Sequence, residues 1–300
     1  MATIQIDAER CRKCGTCVQI CPTLFEQDAH GTLPYLLDTT RCNECGHCVA
    51  ICPGEAIAHS SFPPGSIMPI QPERLPDTGQ LMELLRSRRS LREFRPKPVE
   101  RALIEQIIEA ARFAPSAHNV QSTEYIVVQD PAILKQVVEL TITQYRRWRN
   151  LLSNPIVRSI TRVTMGATRQ ASLDGLLEDF TALIDRYQQG NDPILREAST
   201  LLIFHADRHA GFAGTNANLA LQNASLVCET LKLGAFYTGY VVAGSNDNAR
   251  LAKLLKLPRN HKIYAGLAIG HPKFHYQNWI ERKPAQIQWI DQGGTHYAQR

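Results

Sequence analysis

Long hydrophobic runs are missing from this 300-residue chain: no stretch approaches 18 consecutive apolar residues, which excludes a membrane-spanning helix of ordinary length. The opening MATIQIDAERCRKC lacks a charged stretch followed by an apolar one, so no secretory leader is expected and the cytoplasm is the expected compartment. The common nucleotide and zinc signatures, G-x-G-x-x-G, G-x4-G-K-S/T and H-E-x-x-H, are absent too. Cysteine is almost lacking beyond residue 52, where Cys228 stands alone. Charge of one sign is only slightly in excess; a net +5 mildly favours anionic ligands, and no nucleic acid is expected as a partner. With 44% apolar and 20% charged residues the composition is that of a globular chain, long enough for one large domain and a small one.

What is present is concentrated. Eight of the nine cysteines lie between residues 11 and 52, in the blocks CRKCGTCVQICP (Cys11–Pro22) and CNECGHCVAICP (Cys42–Pro53). The blocks repeat with an offset of 31 residues, so that Gly15 maps onto Gly46 and each cysteine onto a cysteine. Thiols three residues apart pair poorly with one another, which disfavours a disulfide framework. The spacing C-x2-C-x2-C-x3-C-P, present twice, is the bacterial ferredoxin pattern for 4Fe–4S clusters. In that pattern three thiolates come from one tight loop and the fourth from the other block. Cys11, Cys14, Cys17 and Cys52 are thus expected to hold one cluster, and Cys42, Cys45, Cys48 and Cys21 the other. Gly15 and Gly46 let backbone amides approach the sulfurs, where hydrogen bonds raise the reduction potential. His47 reads as a surface residue and Cys228 as core packing.

The extended pieces TIQI (3–6) and EAIAHS (55–60) flank the repeat, giving a ferredoxin-like domain over residues 1–61. Pro63, Pro64, Pro69, Pro72 and Pro76 then stiffen a linker over 62–77. From Thr78 the periodicity turns helical. QLMELLRSRR, PVERALIEQIIEAARF and TNANLALQNASLVCETLKLG read as helices, the last stopped by Gly234. STEYIVVQD, TLLIFHAD and HKIYAGLAIG read as strands, and Pro131 opens a further helix. The alternation points to an α/β or α+β domain over residues 78–300.

Within it, RSRRSLREFRPKPVE (86–100) packs donors densely. Arg88, Arg89, Ser90 and Arg92 suit a phosphate, and by residue type alone they equally suit a solvated helix end. The order of pieces decides between these. R-R-S-L-R, then a proline-opened helix, then APSAHNVQ before a strand, resembles the FMN-dependent nitroreductase superfamily, over about residues 78–300. The resemblance implies an α+β domain, a central sheet flanked by helices, placed after the small two-cluster domain. It implies a homodimer with FMN at the subunit interface. Arg88, Arg89, Ser90 and Arg92 match its phosphate and ribityl contacts, and Arg282 a C-terminal phosphate arginine. Pro115, Ser116, Ala117, Asn119 and Gln121 match the loop beside the isoalloxazine ring. Thr238, Gly239 and Tyr240 match the segment near flavin N5. The family continues N-x-Q-P-W where this chain has NVQST, a departure on the substrate side. His118 and Tyr240 are the candidate proton donors.

Residues 141–170 hold six arginines and no acid, with Asn154 as N-cap, Pro155 at the first helical position, and Ile156, Val157, Ile160 and Val163 on one face. A helical insertion over 141–195 is expected, acting as a packing element or flavin lid, or lying as a basic amphipathic helix on a membrane surface. The resulting expectation is an iron–sulfur flavoprotein that passes electrons through two 4Fe–4S clusters to FMN and on to a small organic acceptor: a nitroaromatic, quinone, activated alkene or halogenated aromatic. Two alternatives stay open: NAD(P)H as the donor with the clusters as exit, in place of ferredoxin as the donor, and a non-enzymatic electron carrier or redox sensor.

Overall fold

The computed structural model describes residues 2–291 and 294–299, apart from the side chains of residues 161–170 and of the last ten residues. The cysteine repeat folds as a repeat. Strand β1 (Ile4–Ile6), helix α1 (Thr16–Ile20), β2 (Phe25–Glu26), β3 (Tyr35–Leu36), α2 (His47–Ile51) and β4 (Ile57–His59) follow in order. β1 pairs with β4 and β2 with β3, both antiparallel. Each short helix begins at a left-handed glycine, Gly15 at φ 70° and Gly46 at φ 74°. Two residues earlier, Lys13 and Glu44 are left-handed as well, at φ 54° and 55°. The same backbone turn therefore wraps both cysteine loops, and glycine fills the positions where a side chain would be strained. The core beneath is small: Ile4, Leu24, Phe25, Cys48 and Ile57 are buried, with Cys17, Cys21, Cys42 and Cys52 packed against them.

Residues 62–77 carry no longer element than a 3-10 turn at Pro72–Arg74, after a bridge from Phe62 to His59 and a turn at Pro63–Ser66. Met68 and Ile70 there project into solvent, as few large apolar side chains elsewhere do.

Beyond them stand α3 (Thr78–Ser87), α4 (Arg101–Arg112), β5 (Glu124–Val128), α5 (Pro131–Ser153), α6 (Pro155–Gln188), β6 (Thr200–Asp207), α7 (Ala213–Thr230), β7 (Gly234–Tyr237), α8 (Gly239–Gly244), α9 (Ala249–Leu254) and β8 (His261–Gly270). A hairpin of β9 (Gln286–Asp291) and β10 (Gly294–Gln299) follows. The central sheet runs β5-β6-β8-β7 with every neighbour antiparallel. The middle of β6, Leu201–Phe204, is an uninterrupted apolar run, as suits a strand buried on both faces. Leu201 and Ile203 face a core built with α5, α8 and α9, whereas Leu202 and Phe204 face one built with α4 and α7. The result is an α+β fold of three layers, helices on either side of an antiparallel sheet.

On β8, Ala265, Leu267 and Ile269 face the α4/α7 side, and strict alternation would put Ile263 with them. A register shift at Phe204/His205 intervenes, pairing Phe204 with Ala265 but His205 with Ile263. The bulge turns Ile263 to the α5 side, and everything N-terminal on β8 with it.

Asp130 caps α5 through the amides of Ala132 and Ile133, behind Pro131. Asn154 both ends α5 and caps α6, accepting from the Ile156 amide at 2.9 Å. α5 runs unbroken through residue 141, and Thr141, Ile142 and Tyr145 are buried in the core, so the residues from 141 to 153 complete a helix that starts at Pro131. Ile156 and Ile160 are exposed and Val157 is half-buried, while Val163, Arg162 and Arg169 lie outside the described residues. Gly234 does not stop α7, contrary to its sequence pattern. The turn is made by left-handed Lys232, with the Leu233 amide donating to the Cys228 carbonyl at 2.8 Å. Gly234 instead opens β7 where Leu91 crosses it; a Cβ there would lie 2.6 Å from Leu91 Cδ2.

Ile107 on α4 is fully buried in the α4/α7 core. Ile107→Ala is expected to destabilise this domain by about 2–5 kcal/mol, read from the urea midpoint of its own unfolding transition.

Candidate functional site

Cys11, Cys14, Cys17 and Cys52 line one small cavity, closed by Ile6, Pro34, Pro53 and Ile57. Cys48 has Cys21, Cys45 and Cys42 as its thiol neighbours. Three amides point at sulfur: Lys13 N–H to Cys11 Sγ (3.4 Å), Glu44 N–H to Cys42 Sγ (3.3 Å) and Ala56 N–H to Cys52 Sγ (3.3 Å). The first two are the same bond in the two repeats, made by the left-handed residues just described. His59 Nε2 sits 3.4 Å from Cys42 Sγ, and its ring leans on Phe62. As free thiols these groups are tuned apart: burial raises Cys17 and pushes Cys48 up to about 11, whereas hydrogen bonding to Thr16 lowers exposed Cys14. Eight thiols gathered four and four, with amide donors aimed at sulfur, have the donor chemistry that two 4Fe–4S clusters require.

The second constellation is split. The RRSLR segment lies along β7, where Ser90 bridges to Ala235 and the Leu91 amide donates to the Ala235 carbonyl at 3.1 Å. Consecutive side chains then leave in different directions. Arg92 lines a cavity of about 410 Å³ together with Thr238, Gly239 and Tyr240. Tyr145 and Phe180, from α5 and α6, and Phe236 make its aromatic walls, and Asp179 and Arg196 reach it as well. The Arg92 guanidinium stands 5.7 Å above the Phe236 ring. Thr238 Oγ1 is buried with no hydrogen-bond partner among the described residues. An aromatic-walled slot with an arginine fits a planar ring carrying an anionic tail.

Arg89 instead borders a separate cavity of about 370 Å³ with Glu83, Lys232 and Tyr276, its guanidinium 5.5 Å from the Tyr276 ring. Arg88 is the half-buried C-cap of α3. Arg282 lies in the exposed stretch before β9, its amide bonded to the Glu281 carboxylate.

The APSAHNVQ loop faces elsewhere. Pro115 is exposed at its start, the Ala117 amide donates to Asn216 Oδ1 (3.2 Å), and the Gln121 amide donates to Ser116 Oγ (3.0 Å). His118, Asn119 and Gln121 are all left-handed. Asn119 Nδ2 reaches across to the cysteine domain, donating to the carbonyls of Glu44 (2.8 Å) and Asn43 (3.3 Å). Of the two candidate proton donors, Tyr240 lines the Arg92 cavity and His118 is exposed on the loop. Tyr145, Phe180 and Phe236 were not singled out from sequence; nothing in an apolar helical pattern marks which turn will wall a cavity. Tyr145 meets Tyr240 edge-on at 5.5 Å, and burial raises its pKa, so its phenol stays protonated.

Comparison with known proteins gives these features a family. Residues 85–271 match the nitroreductase family, and residues 3–53 match a 4Fe–4S dicluster domain. An NADH dehydrogenase of Thermus thermophilus is 31% identical over 186 residues, spanning 62% of this chain and 83% of that protein. An FMN reductase (NAD(P)H) of Bacillus subtilis is 29% identical, over 64% of this chain and 66% of its own length. Among solved structures, a nitroreductase with bound FMN from Bacteroides fragilis superposes with a TM-score of 0.51 at 18% identity, covering 68% of this chain and 96% of that one. The fold and the cysteine pattern define an FMN-type oxidoreductase with two 4Fe–4S clusters. The chain belongs to the nitroreductase family, with a dicluster domain joined to its N-terminal side.

Proposed function

We propose that this chain reduces a small organic acceptor with electrons that enter one at a time through its dicluster domain. The clusters supply single-electron relay, and FMN supplies the exchange between one- and two-electron chemistry. The observation that carries the proposal is the pair of hydrogen bonds from Asn119 to the Asn43 and Glu44 carbonyls. Those two residues lie between Cys42 and Cys45, so the bonds seat one cysteine loop against the loop assigned to the flavin. The set Cys42, Cys45, Cys48 and Cys21 is then the flavin-side set, and the set containing exposed Cys14 receives the external donor.

Arg92 would hold the flavin phosphate, and Tyr240 would deliver a proton at the cavity edge. The α5/α6 hairpin acts as a wall over the ring through Tyr145 and Phe180. Its aromatic character favours a flat acceptor such as a nitroaromatic or quinone. Because the Asn119 loop contacts the cysteine domain and does not line its own Arg92 cavity, a second copy completes the site, in a homodimer that draws on both chains.

Two relatives are named for nicotinamide chemistry, which keeps NAD(P)H as a second donor. Anaerobic stopped-flow with reduced methyl viologen, NADH and NADPH separates the routes. Cys45→Ser is expected to slow flavin bleaching by the one-electron donor about tenfold or more, with flavin content unchanged, while any nicotinamide route keeps its rate. An unchanged viologen rate in an iron-deficient Cys45→Ser protein sinks the inlet.

A further inference from the structure

Glu124, His205 and His261 come together on three adjacent strands, and none of them lines the Arg92 cavity. Glu124 on β5 and His205 on β6 are direct cross-strand partners. His261 opens β8 two residues before Ile263, the partner of His205. Without the bulge at Phe204/His205, strict alternation would send His261 to the opposite face of the sheet. With it, His205 Nδ1 and His261 Nδ1 meet at 2.9 Å, and the Glu124 carboxylate stands 3.9 Å from His261 Nε2. One ligating atom from each residue lies within 4.8 Å of the others.

We infer that these three side chains form a binding site for a divalent transition-metal ion of the zinc class, held by one imidazole nitrogen from each of His205 and His261 and by the Glu124 carboxylate. Two imidazoles and one carboxylate are a ligand set that zinc takes with a fourth position left to water. Zinc–nitrogen bonds of about 2.0–2.1 Å at a tetrahedral angle put two ligand nitrogens about 3.3 Å apart, so the pair need open only slightly. Glu124 is well exposed and free to swing inward, whereas His205 is 3% exposed and fixed. A bulge that re-aims a side chain toward two other ligands is a device found beside functional sites. The competing occupant of the same gap is a single shared proton, Nδ1–H···Nδ1, and zinc binding has to displace it.

The test uses iron-replete protein, so that the cysteines are already occupied. Equilibrium dialysis against zinc chloride, with zinc and iron measured by mass spectrometry, is expected to give one zinc per chain. His261→Asn is expected to weaken binding by at least about a hundredfold, a first ligand mattering no less than the outer-shell partners that cost 10–100-fold. Glu124→Gln, at an exposed position that leaves folding intact, is expected to weaken it less. The zinc X-ray absorption edge should report nitrogen and oxygen neighbours without sulfur. No bound zinc at full iron content would assign the histidine pair to a shared proton and overturn the site. Sulfur in the shell, or equal zinc in wild type and both variants, would overturn it as well.

Discussion

Stripping iron anaerobically from this protein is expected to unfold residues 2–61 and leave the nitroreductase domain intact. The apolar cluster at the centre of the dicluster domain has five buried side chains, and one of them, Cys48, is an assigned cluster ligand. Four more of the cysteines assigned to the clusters, Cys17, Cys21, Cys42 and Cys52, pack against that core. Its sheets are two-stranded, with strands of two or three residues. Domains below about 70–80 residues rarely draw more than 3–5 kcal/mol from a single core and need a covalent or metal staple. Without iron, the cross-links from the clusters to Cys17, Cys21, Cys42, Cys48 and Cys52 are lost, and a small apolar cluster is left to hold the domain. Amide exchange followed by mass spectrometry should therefore show protection lost across residues 2–61, including Leu24 and Phe25. The amides of β6 and β8, central in a sheet covered on both faces, should keep theirs. Persistent protection at Phe25 after complete iron removal would show that the apolar core suffices.

Replacing Arg92 should weaken FMN binding by about 10–150-fold. A charge-assisted hydrogen bond to an anion contributes about 1.5–3 kcal/mol, and each 1.4 kcal/mol is tenfold in affinity. Arg92→Lys should recover part of the loss, since an ammonium keeps the charge without the planar fork. Quenching of flavin fluorescence, titrated against deflavinated protein, measures the change. Arg89→Ala is the informative control because Arg89 borders the other cavity, beside Tyr276. If Arg89→Ala weakens FMN strongly and Arg92→Ala does not, the phosphate belongs in that second cavity and the assignment made from the 410 Å³ slot falls.

Some of this molecule is legible residue by residue. TLLIFHAD and HKIYAGLAIG coincide with β6 and β8, because strands buried on both faces leave uninterrupted apolar runs. Asn154 and Pro155 mark a helix start that depends only on local chemistry. Gly234 misled for a related reason: a glycine after a helix signals a stop, but here it serves the close passage of Leu91, a contact 143 positions away in sequence. The split of Arg89 from Arg92 was hidden because an extended segment sends neighbouring side chains to opposite sides, while its composition reads as one basic patch. Asn119 shows the widest gap between pattern and place. Its motif points to a flavin edge, and its amide reaches carbonyls 75 and 76 residues earlier. No periodicity encodes such a contact, which exists only once two domains have met.

The proline-bearing stretch from 62 to 77 has a kinetic consequence. It joins the cysteine domain covalently to the nitroreductase domain, the electron acceptor in the proposed function, so their encounter is governed by tether length and stiffness and not by how much protein is present. Short tethers of this kind set effective concentrations in the millimolar range. Internal transfer should accordingly proceed at the same rate in dilute and concentrated solution. A single proteolytic cut near exposed Met68 would turn a first-order event into a collision between two molecules.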